Sequence, residues 1–113
     1  MRSSARATVL PKGSANLFAA LGDEARLRIV SRLCDCGPMS ITGLTEGSKI
    51  TRQAITRHLR VMEGSGLVRN ARQGRESVWE LDRLRVEEAG RYLNMISKHW
   101  DDALLRLRRL VED

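Results

Sequence analysis

The stretch that decides the fold runs from Thr51 to Leu81, "TRQAITRHLRVMEGSGLVRNARQGRESVWEL". Its first part has helical spacing. Ile55, Leu59 and Met62 recur at i, i+4 and i+7 and share one face. Gln53, Thr56, Arg57 and Arg60 share the opposite face, within about 100° of arc. An inner apolar stripe holds such a helix in a domain, and the outer stripe points at something else. Thr51 is the natural N-cap, and Gly64 and Gly66 end the helix. The second part has strand composition in "LVRNAR" and "ESVWEL", with Gln73-Gly74 expected at the turn and Arg72 and Arg75 bracketing the tip.

This stretch also holds most of the excess charge. Of a formal net charge of +6 on 113 residues, the window from Lys49 to Arg75 alone carries +6, with seven cations against one acid, Glu63. Residues 1–12 add +3, whereas residues 13–48 come to −1 and residues 76–113 to −2. Solvated surfaces usually mix signs, so a one-sign block inside a folded domain points to a polyanionic partner.

Length and composition bound the rest. At 113 residues the chain is one domain with one modest core. No apolar run approaches the ~20 residues of a membrane span, and "MRSSARATVLPKGSANL" has no apolar h-region of a secretory signal. Cys34 and Cys36, one residue apart, cannot staple distant parts of a fold, which suits a cytoplasmic chain without membrane attachment. No serine-histidine-acid set, paired carboxylates or phosphate loop is present, so no enzyme and no cofactor is expected.

Outward from the opening stretch, residues 1–13 read as a flexible basic arm and residues 14–113 as the folded domain. Ser14 is expected to cap a short helix carrying Leu17, Phe18 and Leu21 and ending at Gly22. Asp23 can cap a second, with Ala25, Ile29 and Leu33 inward. "CGP" at residues 36–38 ends it. Ser40 can cap a third, short helix with Ile41 and Leu44 inward, broken by Gly47. From about Asp82 to the end, Ala89, Leu93, Ile96, Trp100, Ala103, Leu107 and Leu110 recur at 4-3 spacing. That 3.5-residue seam is a helix–helix interface pattern, too long for so small a domain to cover alone. A homodimer is expected, joined through Leu93, Ile96, Trp100, Ala103, Leu107 and Leu110.

The order is four helices, a two-stranded β-hairpin and a long C-terminal helix: a mainly α, winged helix-turn-helix. The physics suits double-stranded DNA, whose major groove admits one helix with side chains long enough to reach base edges. Gln53, Arg57 and Arg60 qualify, Thr56 can reach a phosphate or a thymine methyl, and the helix start at Thr51 and Arg52 suits a phosphate. His58, at the edge of the inner stripe, is a packing or phosphate-contacting residue. Arg69, Arg72 and Arg75 on the hairpin can follow the backbone or enter the minor groove.

At these residues the chain resembles the ArsR/SmtB winged-helix transcriptional regulators, over about residues 15–113. "FAALGDEARLRIVSRL" resembles that family's "alaDptRlrIL.lL", and the opening stretch is similar to its "lsqstvSrHLkvLreaGLv..rreGr.v.Y.l" recognition helix and wing. The resemblance implies a homodimeric repressor on an inverted-repeat operator, joined through its last helix and its first, where Leu17 and Phe18 would meet the partner. Metal-sensing members carry a thiolate pair in the third helix, in "ELCVCDL"; here "PMSITGL" puts Ser40 and Thr42 there. Of the last-helix pattern D-x-H-x10-H-x2-E, His99 and Asp102 match the second half, but Val86 and Glu88 stand in the first. "KHWDDALLRLRRLVE" instead resembles the metal-independent branch. No metal site is expected, and the effector is unknown.

Two alternatives stay open. Cys34 and Cys36 could form a soft-metal or redox pair that makes the regulator responsive, or simply be two small residues at a helix end. The domain could also be a non-regulatory RNA- or protein-binding module, although the deep, narrow A-form major groove fits a recognition helix poorly.

Overall fold

The computed structural model describes residues 13–112. The arm expected over residues 1–13 therefore lies outside the described residues, apart from Gly13. The chain runs α1 (Ser14–Leu21), α2 (Glu24–Cys36), α3 (Ile41–Thr45), α4 (Arg52–Gly64), β1 (Val68–Gln73), β2 (Glu76–Leu81) and α5 (Arg83–Glu112). No helix among the described residues is long and apolar enough to cross a membrane.

The helix starts follow from short polar side chains. The Asp23 carboxylate accepts from the Arg26 amide, the Ser40 hydroxyl from Gly43 and the Thr51 hydroxyl from Ala54. That bond with the Arg26 amide is the main reason the Asp23 carboxyl titrates below its ordinary range. Asp82 does the same for α5, taking the amides of Leu84 at 3.0 Å and Arg85 at 3.3 Å. The first helix departs from expectation. Gly13 holds the cap position at φ 82° with no side-chain cap bond, and Ser14 is already helical and buried. A chain entering in the left-handed region needs glycine there, which moves serine into the first turn.

One core joins the helices to the base of the hairpin. Ile55, Leu59 and Met62 of α4 are at most 1% exposed and pack with Leu17, Ile29, Leu33, Leu44, Leu67 and Trp79. Full burial of a side chain of this size stabilises by ~1.5–3 kcal/mol, so the expected inner stripe fixes the rotation of α4 about its own axis.

The hairpin turns one residue later than expected. Gln73 pairs with Glu76, so the two-residue loop is Gly74-Arg75 rather than Gln73-Gly74. Gly74 has φ 63° and Arg75 has no positive φ, which fits the primed hairpin turn with glycine first. The hairpin is also tied to the helical layer. Met39, between α2 and α3, exchanges both backbone hydrogen bonds with Trp79, at 3.0 and 2.8 Å.

Three arginines act as internal staples on helix ends. Arg26 donates to the Ala20 carbonyl at 2.6 Å, at the end of α1. Arg32 donates to the carbonyls of Leu44, Gly43 and Glu46 at 2.8, 3.2 and 3.3 Å, closing α3. Arg85 joins the Gly13 and Ser65 carbonyls at 3.2 and 3.0 Å. The Gly13 carbonyl already accepts from the Leu17 amide at 3.1 Å; the others lie at helix C-termini, where carbonyls have no partner within the helix.

Leu59→Ala should cost about 2–5 kcal/mol in unfolding free energy. Val61→Ala, one position off the stripe and 49% exposed, should stay within about 0.5 kcal/mol of wild type. Urea titration followed by circular dichroism measures both.

Candidate nucleic-acid interface

With its inner stripe buried, α4 turns Gln53 and Arg57 outward. Both are exposed and neither has a hydrogen bond or ion pair among the described residues. The Thr56 hydroxyl donates to the Arg52 carbonyl at 2.9 Å, which commits its proton to the helix backbone. Arg52 itself donates to the Thr42 hydroxyl at 3.0 Å and braces the start of α4 on α3.

Three residues expected at the DNA have partners within the protein. Arg60 pairs with Glu63 at 2.9 Å, and its guanidinium lies 5.2 Å from the centroid of the buried Trp79 ring. It links recognition helix and wing rather than standing clear with Gln53. Arg69 donates to Glu80 at 2.8 Å and lies 3.7 Å from Asp82. The Glu80 hydrogen bond, then the charges of Glu80 and Asp82, raise its pKa further, so its charge is locally balanced. His58 is half-buried, with Nδ1 3.4 Å from Arg26, and faces the joint between α1 and α2.

At the wing, Arg72 and Arg75 are exposed at the tip and without partners among the described residues. Lys49, just before the Thr51 cap, is likewise exposed and unpartnered there. It lay inside the cation window, yet only the fold puts it beside the start of α4. The arrangement presents Lys49 in the turn before α4, Gln53 and Arg57 on the helix, and Arg72 and Arg75 on the hairpin. These side chains can meet phosphates and base edges without first breaking an internal bond.

The side chains weighed for metal binding have other placements. Ser40 is the cap of α3, and Thr42 takes the Arg52 bond. Cys34 and Cys36 are exposed free thiols, and no group of three or more His, Cys, Asp or Glu among the described residues could hold a metal ion.

Of the residues expected between two copies, Leu17 is 1% exposed and belongs to the protomer's own core. A side chain so enclosed by Ile29, Leu59 and their neighbours offers a partner almost no surface. Phe18 is half-buried and packs its ring on Tyr92 of α5, with centroids 5.6 Å apart. On α5 the seam divides. Ala89 is covered by the domain, whereas Leu93, Trp100, Leu107 and Leu110 are all more than half exposed, with Ile96 and Ala103 between them.

A capped helix with an outward polar face, preceded by a short helix and a tight turn and followed by a cationic hairpin, defines a winged helix-turn-helix DNA-binding domain. Comparison with known proteins agrees. The family model for bacterial regulatory proteins of the arsR family matches residues 23–70. An uncharacterized HTH-type transcriptional regulator of Bacillus subtilis, YuzN, is 38% identical over 68 residues, 55% of this chain and 74% of that protein. The arsenical resistance operon repressor of Bacillus subtilis is 31% identical over 65 residues, 58% of this chain and 62% of the repressor. Among solved structures, an ArsR-like transcriptional regulator from Rhodococcus sp. RHA1 superposes with a TM-score of 0.75. It is 31% identical, over 88% of this chain and 91% of that one. The chain belongs to the ArsR family of transcriptional regulators, which are DNA-binding proteins and not enzymes.

Arg57→Ala should cost about 1–3 kcal/mol of specific DNA binding and relax the preference at one base position per half-site. Arg75→Ala should weaken specific and non-specific duplexes alike, with little change in preferred sequence. Selection from random DNA distinguishes them; full base preference in Arg57→Ala with loss in Arg75→Ala would assign reading to the wing.

Proposed function

We propose that the protein is a homodimeric repressor that binds an inverted-repeat operator, reading bases with Gln53 and Arg57 and holding phosphates with the wing. The observation that carries this reading is the exposed pair Gln53 and Arg57, without side-chain partners among the described residues, on the face of α4 opposite a fully buried inner stripe. Groups already committed inside the fold, such as Arg69, supply field rather than contacts. Thr51, Arg52 and Thr56 line the approach to the duplex at the start of α4. With DNA as its partner, the regulator acts in the cytoplasm.

The dimer is supported by α5. An apolar row of Leu93, Ile96, Trp100, Leu107 and Leu110 exposed to water is an unsatisfied interface. A second copy offers the same row, and two-fold pairing of identical faces closes the assembly. Such a pair carries two recognition helices related by symmetry, as an inverted repeat requires. Repression is the role named for the arsenical resistance relative, and occupying an operator is enough to produce it.

Affinity for the operator should fall about 10³–10⁵-fold between ~50 and ~200 mM salt if each dimer neutralises roughly 6–10 phosphates. A flat titration in a filter-binding or anisotropy assay would remove the electrostatic basis. Trp100→Glu and Leu107→Glu should each give monomers with lost operator binding, measured by sedimentation velocity. An intact dimer in both would place the interface elsewhere.

A further inference from the structure

Behind the recognition helix, between α2 and the turn that joins α3 to α4, lies a cavity of about 540 Å³. That is within the range of small-molecule sites, roughly 300–1,000 Å³. Its lining shares no side chain with the outer face of α4. The floor is apolar: the half-buried Ala25 and Ile50 offer its surface, and Ile29, Leu44 and Ile55 of the core lie behind them. The rim is cationic, with Arg28 and Lys49 against one acid, Glu46. Arg32 forms a wall of fixed shape, its guanidinium locked on the carbonyls that end α3 while its positive charge remains.

The two rim cations are available. Lys49 has no partner among the described residues. Among the described residues Arg28 pairs only with Glu24, at 3.0 Å and with both side chains more than two-thirds exposed, and pairs of that kind exchange readily. An apolar floor under two accessible cations selects a ligand with one negative charge and an apolar body. A cation is repelled, a neutral ring leaves the rim unmatched, and inorganic phosphate leaves the floor unused.

We propose that this cavity is an effector site for a small monocarboxylate with an aromatic or short aliphatic body. The carboxylate pairs with Lys49 and Arg28, and the apolar body rests against Ala25 and Ile50. The wall opposite α2 is the turn of the helix-turn-helix itself, where Gly47 has φ 74° and the Ile50 amide donates to the Ser48 hydroxyl at 3.1 Å. A bound acid engages Lys49, which otherwise faces the duplex beside Thr51, and props the turn against α2. DNA binding is thereby weakened, and DNA weakens the acid by the same factor. This coupling rests on the DNA-binding reading; occupation of the cavity does not.

The test uses the full chain, labelled with nitrogen-15 and titrated at constant ionic strength with benzoate, benzamide and inorganic phosphate in turn. Benzoate should shift the amides of Gly47, Ser48 and Ile50 saturably, with benzamide and phosphate binding roughly tenfold or more weakly. Arg28→Gln, which leaves the helix and the DNA-facing side chains untouched, should reduce benzoate affinity severalfold with an unchanged unfolding midpoint. Saturating benzoate should lower affinity for duplex DNA severalfold in the wild type and less in Arg28→Gln. Unmoved amides at millimolar benzoate would overturn the site. Equal binding of benzamide or phosphate would overturn its chemistry, and benzoate binding with unchanged DNA affinity would overturn its effector role. Failure to bind DNA without benzoate would count against the proposed function alone, because the amide shifts are read on the protein by itself.

Discussion

The burial of Ile55, Leu59 and Met62 governs the geometry of everything that faces outward. These side chains meet Leu44 of α3, Leu33 of α2 and Trp79 of the wing within one core. A helix pinned by three buried residues on one face has no freedom to rotate about its axis. Gln53 and Arg57 therefore point away from the core as a consequence of packing, before any DNA is present. Such preorganisation lowers the ordering cost of binding.

The cations divide according to what the fold already asks of them. Arg26, Arg32 and Arg85 satisfy carbonyls at helix ends, and without them those acceptors would meet solvent or stay unpaired. Arg60 and Arg69 sit in pairs that join the recognition helix to the wing and the wing to its own second strand. Arg57, Arg72 and Arg75 have no such duty among the described residues. A sum of charge over the window treats all of these alike, yet only the last group can be offered to a phosphate without losing an internal bond.

The wing depends on Trp79 in two independent ways. Its backbone pairs with Met39 across the helical layer, and its ring lies in the core beneath the Arg60 guanidinium. The hairpin is thus held at its base and exposed at its tip. Two strands in isolation are marginal in water, and the added bridge with the core contact gives this pair the anchoring it lacks alone. The cations at Arg72 and Arg75 consequently extend from a fixed root.

Local chemistry in the sequence determined where the helices begin and which face of α4 is buried. A cap needs a side chain only three residues from its amide, as at Asp23, Ser40 and Thr51, and a stripe needs only its period. The same locality made the uncovered seam of α5 and the ArsR resemblance legible. The tertiary structure decided whatever depends on a partner distant in the chain. It placed Leu17 in the protomer's own core, put His58 against Arg26, and drew Met39 onto Trp79, 40 residues away in number. It also moved the hairpin turn by one residue and replaced Ser14 with Gly13 as the cap, because backbone conformation there is set by how the elements meet. Which arginines remain available to DNA belongs to the same class, since a guanidinium's availability is fixed by the carbonyls and carboxylates that folding brings to it.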